Sequence, residues 1–153
     1  MLKGISPIIS PELLKLIAEM GHGDELVLAD ANFPGASIGK RCIRCDGHGC
    51  ADVMRALLTL FPLDDFVTAP LAVMEVPQGM FPEDKAPIWK AFREAADTDL
   101  PTAQFDMMDH DAFMECACRV CCCSDGRNGA LRKHHHPQGR CPCINHAVYS
   151  ACF

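Results

Sequence analysis

Apolar residues recur at two spacings along this chain, and each spacing predicts a different kind of element. In the first segment the apolar positions follow Ser10, a favoured helix N-cap, every three or four residues and stop at Gly21. This spacing predicts a helix over residues 11–20. The same spacing predicts a second helix after Gly49 and a third helix over residues 88–97.

Four shorter apolar runs predict strands. The runs cover residues 26–29, 41–44, 71–76 and 104–108, with loops expected over residues 34–40 and 77–87. Residues 109–115 begin like another helix. Strands that alternate with helices of this length are typical of α/β proteins, so the pattern predicts a single α/β domain.

Composition excludes several classes of function. The 153 residues suit one domain, since 49% are hydrophobic and 22% are charged, as in ordinary globular proteins. A formal net charge of -6 argues against nucleic acid as a partner, because binding to a phosphate backbone requires a basic face. No apolar run reaches membrane-spanning length, and the first residues lack a signal-peptide core. We therefore expect a cytoplasmic protein that does not bind membranes.

The eleven cysteines divide the chain into two compositions. Three cysteines precede residue 116, whereas eight crowd the last 38 residues. This last part has neither a helical nor a strand-like apolar period, so no buried element is predicted in it. We predict one domain over residues 1–115 and an irregular tail, rich in Cys and His, over residues 116–153.

Chemistry is predicted around the first strand. His22 lies between two glycines, which leave the backbone free to turn and add no bulk beside the imidazole. Asp30 follows the apolar run at its carboxyl end, where open α/β sheets place ligand-binding groups. Imidazole suits proton transfer near neutral pH, so His22 and Asp30 are candidate site residues that flank one strand. Asp24 and Glu25 are interpreted as solvated or as stabilising the turn.

Several motifs resemble the ribose pyranase and L-fucose mutarotase family. They are Ile5-Ser6-Pro7, Ser10-Pro11-Glu12-Leu13-Leu14, the segment from Met20 to Pro34, and Ile43-Arg44-Cys45-Asp46-Gly47. Asn32-Phe33-Pro34 and the near-match over residues 43–47 favour the fucose branch of that family.

The resemblance implies one α/β domain with a mixed sheet and flanking helices. It also implies interconversion of the α and β anomers of L-fucose or a related pyranose, with no cofactor and no metal. By motif, His22 matches the family's proton donor, Asp30 matches its sugar-binding carboxylate, and His110 falls at a substrate-binding position. As alternatives, Asp30 only caps a loop, and His110 is only an N-terminal residue of a helix. The family forms a ring-like homodecamer whose site lies at a contact between subunits.

The tail departs from the resembling family. Leu131-Arg132-Lys133 stands where the family has Tyr-Gly-Asn, and Met114 replaces a usual tyrosine. The genetic code allows residues 120–139 to be written in codons that, when read one base later, encode the family's apolar strand, Tyr-Ala-Val-Val-Ala-Thr-Gly. In that shifted reading frame the histidines at 134–136 become isoleucines. We infer that the reading frame is lost near Glu115, and we expect poor assembly and little activity.

Two alternative functions fit parts of the sequence. A non-catalytic sugar-binding protein would keep the pocket without the reaction. A zinc-binding module would use Cys42, Cys45, Cys118 and Cys121, because both pairs have the two-residue spacing of four-cysteine zinc sites.

Overall fold

The computed structural model describes residues 2–60, 62–75, 87–117 and 120–124. Its helices are α1 (Pro11–Glu19), α2 (Gly35–Ile38), α3 (Cys50–Leu58), α4 (Pro87–Ala96) and α5 (His110–Ala117). Its strands are β1 (Val27–Ala29), β2 (Arg41–Cys45), β3 (Leu71–Met74), β4 (Phe105–Met108) and β5 (Val120–Ser124). The predicted α/β class is confirmed. None of the helices in these ranges has the length and hydropathy to cross a bilayer.

Local sequence explains where two of the helices begin. Ser10 caps α1, because its Oγ accepts a hydrogen bond from the Leu13 N–H at 3.1 Å and pairs a donor that the helix leaves unsatisfied. The carboxylate of Asp109 caps α5 in the same way and accepts from the Ala112 N–H at 2.8 Å. Helix α2 lies within residues 34–40, for which the sequence predicts a loop, because one turn of small residues has no apolar period.

The predicted boundaries of α1, β1, β2, β3, α4 and β4 agree with the structure to within two residues. Strand β3 ends at Met74, before the predicted end at residue 76. Residues 76–86, which include most of the predicted loop, lie outside the described residues, and Pro87 begins α4.

The strands form two parallel sheets. The first has the order β1-β5-β2, and the second pairs β3 with β4. In the register of the first sheet, Cys122 of β5 pairs with Leu28 of β1 and with Ile43 of β2. Every pairing in the described part of the chain is parallel, so these strands differ from the single mixed sheet that the resemblance implies.

Strand β1 is buried on both faces. Leu26 and Leu28 pack in the main core with α1, α3 and α4, whereas Val27 and Ala29 pack in a second cluster with α5. Successive strand residues point to opposite faces, so this alternation places helices on both sides of the strand. It explains why residues 26–29 form an uninterrupted apolar run.

Five residues of the tail that is predicted to be irregular form a strand. Strand β5 lies between β1 and β2, and α5 extends to Ala117, past the predicted boundary after residue 115. Residues 118–119 and 125–153 lie outside the described residues, and the out-of-frame interpretation of the tail stays a prediction.

Candidate active site

His22 lies on a tight turn between α1 and β1. The Asp24 N–H donates to the Gly21 carbonyl at 3.1 Å, and the Gly21 N–H donates to the Asp24 carboxylate at 2.8 Å. Gly23 has a φ of +85°, a left-handed conformation that is costly for residues with a side chain, so the turn favours glycine directly after His22. The turn directs the imidazole outward, and the His22 side chain is 71% exposed.

Two residues between α3 and β3 contact the imidazole. Nε2 of His22 lies 3.7 Å from Oδ2 of Asp64, which is an ion-pair distance when the imidazole is protonated. The ring of Phe66 stands at 87° to the imidazole with 5.8 Å between centroids, an edge-to-face arrangement. Phe66 is 87% exposed, so its ring is also available to a ligand. An acid–base group, a carboxylate and an aromatic ring therefore lie together at one surface.

Asp30 follows β1 and is enclosed by the loop that it begins. The residue is 7% exposed, and its Oδ1 accepts hydrogen bonds from the N–H groups of Asn32 at 2.8 Å and Phe33 at 3.0 Å. Burial raises the pKa of the Asp30 carboxyl, and the two hydrogen bonds oppose that rise. This is the geometry of a loop cap, the alternative role considered for Asp30. Among the described residues, none donates to its Oδ2.

His110 is the first residue of α5 and is exposed. Its Nδ1 lies 3.1 Å from the Asp111 carboxylate. One turn further along the helix, Phe113 is fully buried and packs edge-to-face on Phe33, with 5.5 Å between ring centroids. Because Asp30 accepts the Phe33 N–H, this aromatic contact ties the start of α5 to the loop after β1.

The predicted site residues therefore divide between the two ends of β1. Asp30 and His110 belong to one end, where Phe33 and Phe113 join them, and His22 lies before the other end. His22 and Asp30 do flank the strand, as predicted. The strand between them has three residues and, at roughly 3.3 Å each, is about 10 Å long.

A cavity of about 200 Å³ lies beside the His22 turn. It is lined by Leu16, Glu19, Met20, Asp24, Glu25, Lys40 and Arg41. Two of these residues, Glu19 and Arg41, form an ion pair at 2.7 Å, and the guanidinium holds the pKa of the Glu19 carboxyl below its usual value. Asp24 stabilises the turn, as expected, whereas Glu25 is buried rather than solvated.

The cysteine pair on β2 does not form a chelate. Cys42 and Cys45 are three residues apart on a strand, so their side chains leave opposite faces of the sheet: Cys42 packs against the cluster with α5, and Cys45 lies in the main core. Cys118 and the side chain of Cys121 lie outside the described residues. In the part of the chain that is described, no three His, Cys, Asp or Glu side chains gather as metal ligands.

Asp64 and Phe66 are missed by the sequence-based prediction of the site. They are far from His22 in sequence and belong to a short polar stretch with no apolar period. The available signal was Phe66 itself, an aromatic residue directly after two aspartates and outside both apolar spacings.

Comparison with known proteins establishes the class of this protein. A model of the RbsD / FucU transport protein family matches residues 3–123, which is most of the chain, and the chain belongs to that family.

Particular relatives include L-fucose mutarotases. The L-fucose mutarotase of Actinobacillus pleuropneumoniae serotype 5b (strain L20) is 58% identical over 79 residues, which make up 52% of this chain and 55% of that protein. The chain thus spans about half the length of the curated relatives that it matches.

Two solved structures have the same fold. FucU from Bifidobacterium longum superposes with a TM-score of 0.74 at 39% sequence identity. The match covers 82% of this chain and 91% of the FucU chain. The fucose mutarotase of Streptococcus pneumoniae, whose structure is a complex with L-fucose, superposes with a TM-score of 0.67 at 39% sequence identity. The match covers 82% of this chain and 89% of the mutarotase chain.

Proposed function

We propose that this chain is a cytoplasmic, cofactor-independent mutarotase that interconverts the α and β anomers of L-fucose or a related pyranose. The observation that carries the proposal is its likeness, at 39% identity over 82% of the chain, to the fucose mutarotase that was crystallised with L-fucose. The match to the L-fucose mutarotase of Actinobacillus pleuropneumoniae supports the same assignment over 79 residues.

Anomer exchange needs a group that both takes and gives a proton. The ring opens when a proton leaves the anomeric hydroxyl and another reaches the ring oxygen, and it closes by the reverse steps. An imidazole can perform both transfers near neutral pH, and His22 is exposed enough to meet a sugar. Free sugars exchange slowly, so an acceleration of about a hundred- to ten-thousand-fold, the range of positioned acid–base groups, suffices.

Asp30 and His110 bind the sugar in this proposal. The loop holds Oδ1 of Asp30, which fixes the carboxyl group and leaves Oδ2 to accept a hydrogen bond from a sugar hydroxyl. Nδ1 of His110 faces Asp111, which leaves Nε2 for the sugar. The contact between Phe33 and Phe113 keeps the two binding residues at a fixed spacing.

Completion of the site is proposed to require a second copy of the chain. Strand β1 separates His22 from Asp30 within one copy, and the family resemblance implies a homodecamer with its site at a subunit contact. Residues 131–133 replace the family's Tyr-Gly-Asn, so we expect this chain to assemble poorly and to have little activity. Sedimentation velocity should detect mainly species smaller than the assembly of an intact relative.

Saturation-transfer NMR on L-fucose tests the function directly. Saturation of the α-anomeric proton should reduce the β signal faster with the protein than in buffer alone, and more slowly than with an equal concentration of an intact relative. Exchange equal to the buffer rate at the highest attainable protein concentration contradicts catalysis. Exchange as fast as that of the relative contradicts the expected loss of activity and makes the tail dispensable.

A sugar-binding protein without catalysis is the second candidate. It is favoured because the Asp30 end of β1 is held by its own contacts, through Phe33 and Phe113, without a contribution from His22. L-Fucose titrated into the wild-type protein, followed through its amide NMR signals, separates the two candidates. Saturable binding without added anomer exchange supports the binding protein, whereas binding with exchange supports the enzyme.

A further inference from the structure

The site loop, residues 62–70, brings Phe66 to His22 and is bonded to the connection between α4 and β4, residues 97–104. Asp99 lies in this connection, and its Oδ2 accepts a hydrogen bond from the Leu63 N–H at 2.8 Å. We propose that Asp99 is a positioning residue for His22, an inference that rests on the proposed function. Asp99 acts through the site loop, because it fixes the place where that loop begins.

The connection holds the site loop at two places. In addition to the bond between Asp99 and Leu63, the Gln104 N–H donates to the Thr68 carbonyl at 3.1 Å. Residues 64–67 lie between the two bonds, so this short segment can move little while both bonds are intact. The second bond joins two backbone groups, whereas the first depends on the Asp99 side chain and can be removed by substitution.

The connection is itself fixed to α4. The guanidinium of Arg93 donates to the Ala103 carbonyl, and its central carbon lies 4.8 Å from the centroid of the Phe105 ring, a cation–π distance. The Asp99 N–H donates to the Ala96 carbonyl at 3.0 Å, so the backbone at Asp99 continues from the end of the helix. A residue that positions another must have a fixed position of its own, and these contacts provide it.

Loss of the Asp99 carboxylate should shift the site loop without unfolding it. The Leu63 side chain is buried in the main core and keeps the start of the loop near its place. The Leu63 N–H would nevertheless lose its acceptor, and an N–H group without a partner favours movement toward water. Phe66 is 87% exposed, so packing of its own ring does little to resist that movement. The edge-to-face contact between Phe66 and His22 should therefore weaken.

The ring protons of His22 provide the direct test. The Phe66 ring current shifts their NMR signals, and Phe66→Leu gives the signals without that ring. At one fixed pH, Asp99→Ala should move the His22 signals part of the way toward those of Phe66→Leu. Asp99→Asn removes the same charge but keeps an oxygen for the Leu63 N–H, so it should match the wild type. Asp65→Ala, which removes an exposed carboxylate from the site loop, is the control and should also match the wild type.

Amide hydrogen exchange tests the bond itself. In the wild type the Leu63 amide should be protected from exchange, and Asp99→Ala should remove that protection. A Leu63 amide that is unprotected in the folded wild type overturns the inference without any variant. Amide spectra establish that Asp99→Ala is folded, and His22 signals that match the wild type in the folded variant also overturn it.

Anomer exchange measures the consequence for the reaction. Because a misplacement of about 1 Å can cost up to a hundredfold in rate, Asp99→Ala should lower the maximal exchange rate about tenfold. The half-saturating concentration of L-fucose should not change, since the proposed sugar-binding residues Asp30 and His110 lie at the other end of β1. Asp99→Asn should retain the wild-type rate, and equal losses in both variants would contradict a positioning role. If the wild type catalyses no exchange, the proposed function fails, and the His22 signals still decide the role of Asp99.

Discussion

The two ends of β1 are built in opposite ways. At the His22 end the side chain is exposed on a turn and takes its carboxylate partner from a loop distant in sequence. At the Asp30 end the carboxylate is buried in the loop that it caps, next to a packed aromatic pair. In the proposed function the group that moves protons needs access to the sugar, whereas the group that binds a hydroxyl needs a fixed position. Substitutions at the first end should therefore change rate, and substitutions at the second should change stability.

The largest effect is expected for His22→Ala. It should remove the catalysed part of anomer exchange, about a hundred- to ten-thousand-fold where the acceleration reaches that range, because the proposed function assigns both proton transfers to His22. The free energy of unfolding should change by less than about 0.5 kcal/mol, since the side chain is exposed. Saturation-transfer NMR and urea unfolding measure the two quantities. His48→Ala, which alters a histidine in the turn after β2, is the control and should change neither the exchange rate nor the free energy of unfolding.

Phe113→Ala should have the largest effect on stability. This side chain is fully buried against Phe33, so its truncation leaves a cavity and should cost about 3–5 kcal/mol in urea unfolding. Phe66→Ala makes the same change at a side chain that is 87% exposed and should cost less than about 0.5 kcal/mol. Equal losses of unfolding free energy in Phe113→Ala and Phe66→Ala would contradict the contrast between the two ends of β1.

Asp30 should separate stability from binding. Asp30→Ala removes the acceptor for two loop N–H groups and should cost about 1–2 kcal/mol. Asp30→Asn keeps an oxygen for those bonds and removes a buried charge, so its unfolding free energy at neutral pH should not fall below that of the wild type. Both variants should weaken L-fucose binding by roughly tenfold or more, since a hydrogen bond to a charged acceptor is lost. Tight binding by either variant would exclude Asp30 from the sugar site.

The smallest effect is the pH dependence of stability at Asp30. Because burial raises the pKa of this carboxyl, its stabilising contribution is fully present below the ordinary value of 3.8 and is lost as pH rises through the raised value. The stability of the wild type relative to Asp30→Asn should therefore fall across that window and then stay constant. Glu19→Gln is the control of opposite sign, since Arg41 lowers the pKa of Glu19 and its contribution is lost as pH falls.

Much of the fold follows from local sequence. The Ser10 cap, the apolar period of α1 and the buried run of β1 each act within a few residues, so their boundaries were predicted closely. Strand β5 was not predicted, because residues 116–153 have neither a helical nor a strand-like apolar period, whereas the strand is recognised by its pairing with β1 and β2, which are far away in sequence. The flanking of one strand by His22 and Asp30 was predicted, whereas the partners of each residue were not.

Local spacing was sufficient for the α/β class, for the order of most elements and for the positions of the candidate side chains on the chain. The neighbours of those side chains depended on the folded arrangement of the whole molecule. Asp64 lies beside His22 because the loop before β3 packs against the turn before β1, and the contact of Phe113 with Phe33 connects the helix of His110 to the loop of Asp30. Parallel strands are connected by crossovers, so the contacts that build the site join segments far apart in sequence, where no local pattern records them.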